Sequence, residues 1–108
     1  MDKTIDRIIL SLDTSTTSTG WALFANGEYR NSGSINLKTI KDSGERLLKM
    51  VKEIQIMINT YPPGTTVVIE TPVVVRNPQT QRMLTMIFGV VYGECARRDL
   101  NFEELRPT

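Results

Sequence analysis

The 108-residue sequence predicts an α/β fold: a mixed sheet of three antiparallel strands followed by two parallel strands, joined by crossover helices. Three observations carry this reading. Short β-branched runs fill the first third of the chain and meet at Asn26-Gly27, the strongest short-range hairpin signal. At Ser43 the apolar period changes from strand-like to helical. Helix, strand, helix and strand then alternate, and helical connections imply right-handed crossovers onto parallel neighbours.

Arg7 to Asp13 contains Ile8, Ile9, Leu10 and Leu12, an apolar run too short for a good helix and suited to a buried strand. Trp21 to Ala25 is a second run. It ends at Asn26-Gly27, and a more polar third strand follows over Glu28 to Leu37. From Ser43, Leu47, Val51, Ile54 and Ile58 form a helical stripe, with Asp42 and Glu45 spaced as a capping pair. This helix stops before Tyr61-Pro62-Pro63-Gly64. Thr66 to Glu70 reads as a short buried strand, and Val73 to Arg76 as a connector. Asn77-Pro78 places an N-cap residue before proline at the first helical position. The long helix it opens runs to about Arg98, with Leu84, Ile87, Val91 and Cys95 along one stripe. Asn101 to Leu105 is the last strand.

The length suits one domain, residues 1–108, and an apolar fraction of 40% suits a modest core. Thirteen basic residues against twelve acidic ones give a net charge of +1, which neither demands nor excludes a polyanionic partner. Cys95 is the sole cysteine, so no intrachain disulfide forms. With no signal-peptide pattern, a reduced intracellular location is expected. The apolar runs are far shorter than the roughly 20 residues that span a bilayer, so no membrane is expected. Histidine is absent. That removes Ser-His and Cys-His nucleophile pairs, imidazole bases and histidine zinc sites together. Carboxylates with hard metal ions, a lone thiol or lysine remain.

The stretch ILSLDTSTTSTGWALF, Ile9 to Phe24, sends an apolar strand into an aspartate and six consecutive hydroxyl residues, more polar than a hairpin requires. The fourth strand also ends in a carboxylate, Glu70. If that strand lies beside the first, Asp13 and Glu70 stand together at the carboxyl ends of adjacent parallel strands, where open α/β sheets place their sites. Two carboxylates that close repel unless one is protonated or a cation lies between them. A divalent metal is the simplest resolution, and the hydroxyls of Thr14 to Thr19 would then lie near a phosphate. Each carboxylate alone is equally readable as a solvent-facing strand end, and most of the six hydroxyls as partners of local backbone groups. Arg76, Arg82, Arg97 and Arg98 read first as solvated helix-face charges. Gly89 and Gly93 permit close packing on the sheet or on a partner, Trp21, Met83 and Met86 are core or interface, and Cys95 is a small buried apolar residue.

Together with VVIETPVVVRNPQTQRML, Val67 to Leu84, this stretch resembles the RuvC-type Holliday-junction resolvases of the RNase H-like superfamily, especially their shorter phage-like forms. The likeness rests on an Asp on the first strand, a Ser/Thr turn ending in Thr-Gly, a Glu closing the fourth strand, and an Asn seven residues later opening a helix. It implies a homodimeric, magnesium-dependent endonuclease, with manganese able to substitute, that recognises four-way DNA junctions and cuts them by two-metal phosphodiester hydrolysis. By position, Asp13 and Glu70 would be the catalytic metal ligands. Thr14, Ser15, Arg76, Asn77, Gln81 and Arg82 would lie near DNA, and the long helix would contribute to the dimer.

Two departures stand out. The family completes its metal site with further acids on a C-terminal helix, whereas this sequence stops at Arg106-Pro107-Thr108. Asp99, Glu103 and Glu104 flank or lie within the last strand instead. A C-terminally truncated nuclease core that cleaves poorly alone is therefore expected. Where some relatives carry a junction-wedging aromatic, this chain has Val73. Other readings of the same core are a YqgF-type nuclease acting on RNA, a junction-binding protein without catalysis, and an ATP-binding domain of the sugar-kinase and actin type, which needs a second such domain to clamp the nucleotide.

Overall fold

A computed structural model of the chain describes residues 7–70 and 76–106. It contains β1 (Ile8–Thr14), β2 (Ser18–Ala25), β3 (Glu28–Asn36), α1 (Ser43–Asn59), β4 (Thr66–Glu70), α2 (Pro78–Arg98) and β5 (Asn101–Leu105). The sheet order is β3-β2-β1-β4-β5, with β1 to β3 antiparallel and β4 and β5 parallel to β1. This is the mixed sheet expected. Residues 73–75 of the expected connector, Val73 among them, lie outside the described residues.

The β2–β3 hairpin turns at Asn26 and Gly27, whose φ values of 56° and 82° are both left-handed, as the tight turns that match strand twist require. The Asn26 side chain accepts from the Arg7 amide at 2.9 Å, and its own amide donates to the Arg7 carbonyl at 2.9 Å, so the turn is tied to the start of β1. β2 begins at Ser18, three residues earlier than the apolar run suggests. The hydroxyl-rich connection therefore shrinks to Ser15, Thr16 and Thr17, because Thr14, Ser18 and Thr19 have joined the ladder.

Both helices pack on one face of the sheet. Leu10 and Leu12 of β1 and Val67 and Ile69 of β4 face Met50, Ile54 and Ile58 of α1 and Ile87, Val91 and Cys95 of α2. The buried stripe of α1 thus runs through Met50, with Leu47 only partly covered; that of α2 starts at Met83 rather than Leu84. The rest of each stripe is as expected; methionine fills the deeper place where Met50 stands in for Val51 and Met83 for Leu84. The helices lie side by side and parallel. Gln79 reaches Ser43 near their starts, Gln55 reaches Glu94, and Arg97 and Arg98 both donate to the Asn59 side-chain oxygen near their ends. Arg98 also donates to the Tyr61 carbonyl at 3.1 Å. These two arginines tie the helix ends together; Arg97 does so as an exposed helix-face charge, and Arg98 is half-buried.

Asp42 caps α1, accepting from the Glu45 amide at 2.9 Å. Asn77 caps α2, accepting from the amides of Gln79 and Thr80. Since each helix returns the chain against the parallel strands, both capped ends lie at the carboxyl edge of β1 and β4. Gly33 carries the Trp21 ring: an added Cβ would come within 2.9 Å of it.

Cys95 is 1% exposed, and burial, then the neighbouring Glu94 charge, pushes its thiol from an ordinary 9.0 up to about 11. The folded state binds this proton more tightly than the unfolded state. The resulting stabilisation is therefore present below pH 9 and lost as pH rises toward 11, a loss of about 2–3 kcal/mol. Denaturant titrations should show this loss in the parent chain and not in Cys95→Ala, and Cys95 should resist thiol reagents at pH 8 until the chain unfolds.

Candidate active site

The parallel register of β1 and β4 builds the site. Leu10 pairs with Val67 and Leu12 with Ile69, all four side chains buried against the helices. Asp13 and Glu70 are the next residue on each strand. Adjacent backbones in a sheet stand roughly 4.8 Å apart, and alternation turns both carboxylates to the opposite face. Both are exposed, and neither has an ion pair among the described residues. Like charges so placed attract a cation between them, and two hard oxygen donors with open surroundings fit a divalent ion that keeps waters and a phosphate as its other ligands. No cluster of three acidic, cysteine or histidine groups occurs among the described residues. Glu103 pairs with Val68, two residues back from Glu70, and the residue level with Glu70 on β5 is Leu105.

The Thr-Gly element has a local reason. Thr19 is fully buried, its hydroxyl donating to the Met50 sulfur at 3.2 Å, so it anchors β2 to α1. Gly20 is the cross-strand partner of Asp13, and a Cβ there would meet nothing within 4 Å. It leaves an open hollow beside Asp13, lined also by Ser11, Ala22 and Gly33.

The hydroxyls of the turn divide into two groups. Ser15 is committed inward: its hydroxyl donates to the Ser18 carbonyl at 2.9 Å and accepts from the amides of Ser18 and Thr17, at 3.0 and 3.3 Å. Ser18 lies 3.3 Å from it. The side chains of Thr14, Thr16 and Thr17 have no hydrogen bond among the described residues. Sequence reading marked the stretch but missed Arg46, whose guanidinium donates to the carbonyls of Thr16 and Ile40. No local pattern separates it from any helix arginine; only the fold brings the turn to it.

Of the other expected residues, Arg76 and Asn77 stand exposed just ahead of α2. The carbonyl oxygen of the Asn77 side chain is spent on the cap, which leaves its amide nitrogen as a donor. Gln81 lies one turn on, within 3.5 Å of Thr85. Arg82 lines a groove between the helix starts, with Ser43, Gly44, Leu47, Gln79 and Met86.

Residues 9–108 match the family model described as crossover junction endodeoxyribonuclease RuvC. The chain belongs to the RuvC family. It is 31% identical over 90 residues to RuvC of Ehrlichia ruminantium, a match covering 77% of this chain and 56% of that protein. RuvC of T. thermophilus, solved in complex with a Holliday junction substrate, shares the fold with a TM-score of 0.72 at 11% identity, over 94% of this chain and 65% of that one. YeaZ from Pseudomonas aeruginosa also shares it, with a TM-score of 0.55 at 20% identity, over 93% and 44%. The chain thus spans between half and two thirds of the RuvC proteins it matches. No described helix is long and apolar enough to cross a membrane.

The hollow beside Asp13 gives the Thr-Gly element a test within this RuvC chain. Valine at position 20 suits a strand, so Gly20→Val should hold or raise the denaturation midpoint. Its side chain would stand beside Asp13, and Mn2+ binding by titration should weaken about tenfold, the scale of a steric cost of about 1–3 kcal/mol.

Proposed function

We propose that this chain is the nuclease core of a Holliday-junction endonuclease that hydrolyses DNA phosphodiester bonds with divalent metal, magnesium in the cell and manganese as a substitute. The observation that carries this reading is the pairing of Leu12 with Ile69, which sets Asp13 and Glu70, exposed and without an ion pair among the described residues, as the next residues of adjacent strands beside a hydroxyl-bearing turn. Divalent ions held there would lower the pKa of a water and stabilise the leaving oxygen.

The protein groups have separable roles. Asp13 and Glu70 hold the metal. Thr14, Thr16 and Thr17 offer hydroxyl donors to the phosphate, while Ser15 sets the shape of the turn that presents them. Arg76 and Arg82 neutralise the DNA backbone, and Asn77 offers an amide donor at the same edge, with Gln81 one turn further along α2. A further acidic ligand from outside the described residues is required for fast cleavage, because two carboxylates hold a divalent ion weakly.

A second copy of the chain belongs along α2. Met86 and Tyr92 are 50% and 58% exposed, and a Cβ added at Gly89 or Gly93 would meet nothing, so neither glycine serves packing on the sheet. Two glycines inside a helix cost about 1 kcal/mol each relative to alanine, a cost that close approach of a partner helix offsets.

The test is binding and cleavage of a labelled four-way junction beside its linear duplex arms, in Mg2+ and in Mn2+, with RNA as competitor. The chain should bind the junction preferentially, lose affinity steeply with salt, and cut slowly. A version extended by an acid-bearing helix should cut the junction alone. Asp13→Asn and Glu70→Gln should each abolish cutting and Mn2+ binding while junction binding persists. Rapid cutting by the unextended chain, lost in Asp13→Asn, would overturn the requirement for a further acid; preference for RNA would move the substrate.

A further inference from the structure

We propose that Arg46 is a positioning residue for phosphate contact by the β1–β2 turn, an inference that rests on the nuclease reading above. Its Nε donates to the Thr16 carbonyl at 2.8 Å and its Nη1 to the Ile40 carbonyl at 2.9 Å. One planar fork thus ties the turn beside Asp13 to the loop that leads from β3 into α1. The side chain is half-buried, and no carboxylate pairs with it among the described residues.

The direction of the turn's carbonyls shows what the fork does. The Ser18 carbonyl accepts from the Ser15 amide and hydroxyl, and the Thr17 carbonyl from the Leu37 amide at 2.8 Å. The carbonyl of Thr16, at the middle of the turn, is taken up by Arg46 rather than by a backbone amide. The carbonyl oxygens of Thr16, Thr17 and Ser18 are therefore drawn to donors within the protein, while the hydroxyls of Thr14, Thr16 and Thr17 have no hydrogen bond among the described residues. A phosphate can approach hydroxyls that are free beside carbonyls that are held; a Thr16 carbonyl swung outward would repel it. A half-buried cation without an anion is costly for stability alone. Arginine is required rather than lysine because two acceptors on different segments must be met from one rigid plane.

Arg46→Lys and Arg46→Gln, both in the full chain, separate this role from its rivals. The expected result is that both variants weaken junction binding about tenfold, the scale of a lost charge-assisted hydrogen bond. Both should speed exchange of the Ser18 and Leu37 amides at least as much, leave Mn2+ affinity and core-strand exchange unchanged, and keep the parent's slope of log affinity against log salt. If Arg46 instead contacts phosphate directly, Lys retains affinity and Gln lowers that slope by about 0.9, which overturns the proposal. If it is merely structural, exchange rises across β1 and β4 and the melting temperature falls with it, which also overturns it. Junction affinity unchanged in both variants overturns the proposal alone, whereas failure of the parent chain to bind any junction overturns the nuclease reading and this inference with it.

Discussion

Everything in this molecule depends on the register in which β1 and β4 pair. Leu12 beside Ile69 and Leu10 beside Val67 put four apolar side chains on the helix-covered face, and the period of two then turns the next residue of each strand outward. A slip of one residue would bury Asp13 or Glu70 against Met50 and Ile87 and expose the leucines, at the cost of an unpaired buried charge. The core therefore does more than hold the sheet together. It fixes two like charges level with each other, a placement that folding alone would avoid.

The helices complete that placement from beneath. Because α1 and α2 both run back against the parallel strands, their capped starts gather at the edge where the carboxylates sit. Thr19 reaches down to Met50, and Arg46 reaches up to Thr16, so α1 grips the β1–β2 hairpin at two points, the turn tip and the start of β2. At their far ends the helices are held by Arg97 and Arg98 on Asn59, and the Arg97 hydrogen bond, with its charge, keeps Glu94 ionised below its usual range despite partial burial. The arginine-tied end and the end that carries Asp13 and Glu70 are thus opposite ends of the same helix pair.

Much of this was legible in the sequence because it is local. The Asn26-Gly27 turn, the Asp42 and Asn77 caps and the strand ends at Glu70 and Leu105 follow from residue chemistry at fixed spacing, and the structure has them there. What was not legible depends on contacts between distant segments. Nothing near Thr14, Ser18 and Thr19 says that they extend the ladder; the partner strand decides it. The burial of Met50 and Met83 in place of better-branched neighbours is likewise a matter of which gap faces them. Arg97, Arg98 and Arg46 look alike in sequence, yet each is oriented by carbonyls or an amide some thirty or more positions away.

The face opposite the helices leaves the two carboxylates in open solvent. Ile9, Ser11 and Val68 are half-buried there, and Leu105 is 58% exposed level with Glu70; no described helix covers them. A site on an uncovered face is open to water, and open water both screens the charges that would polarise a phosphate and competes for any bound ion. On the nuclease reading proposed above, substrate binding and a further acidic ligand would act on the same deficiency: each would remove solvent from Asp13 and Glu70 while adding a group that a metal can hold. The two would then be coupled, so that a DNA backbone seated on the Thr14, Thr16 and Thr17 hydroxyls would raise metal affinity by the same factor as metal raises affinity for DNA.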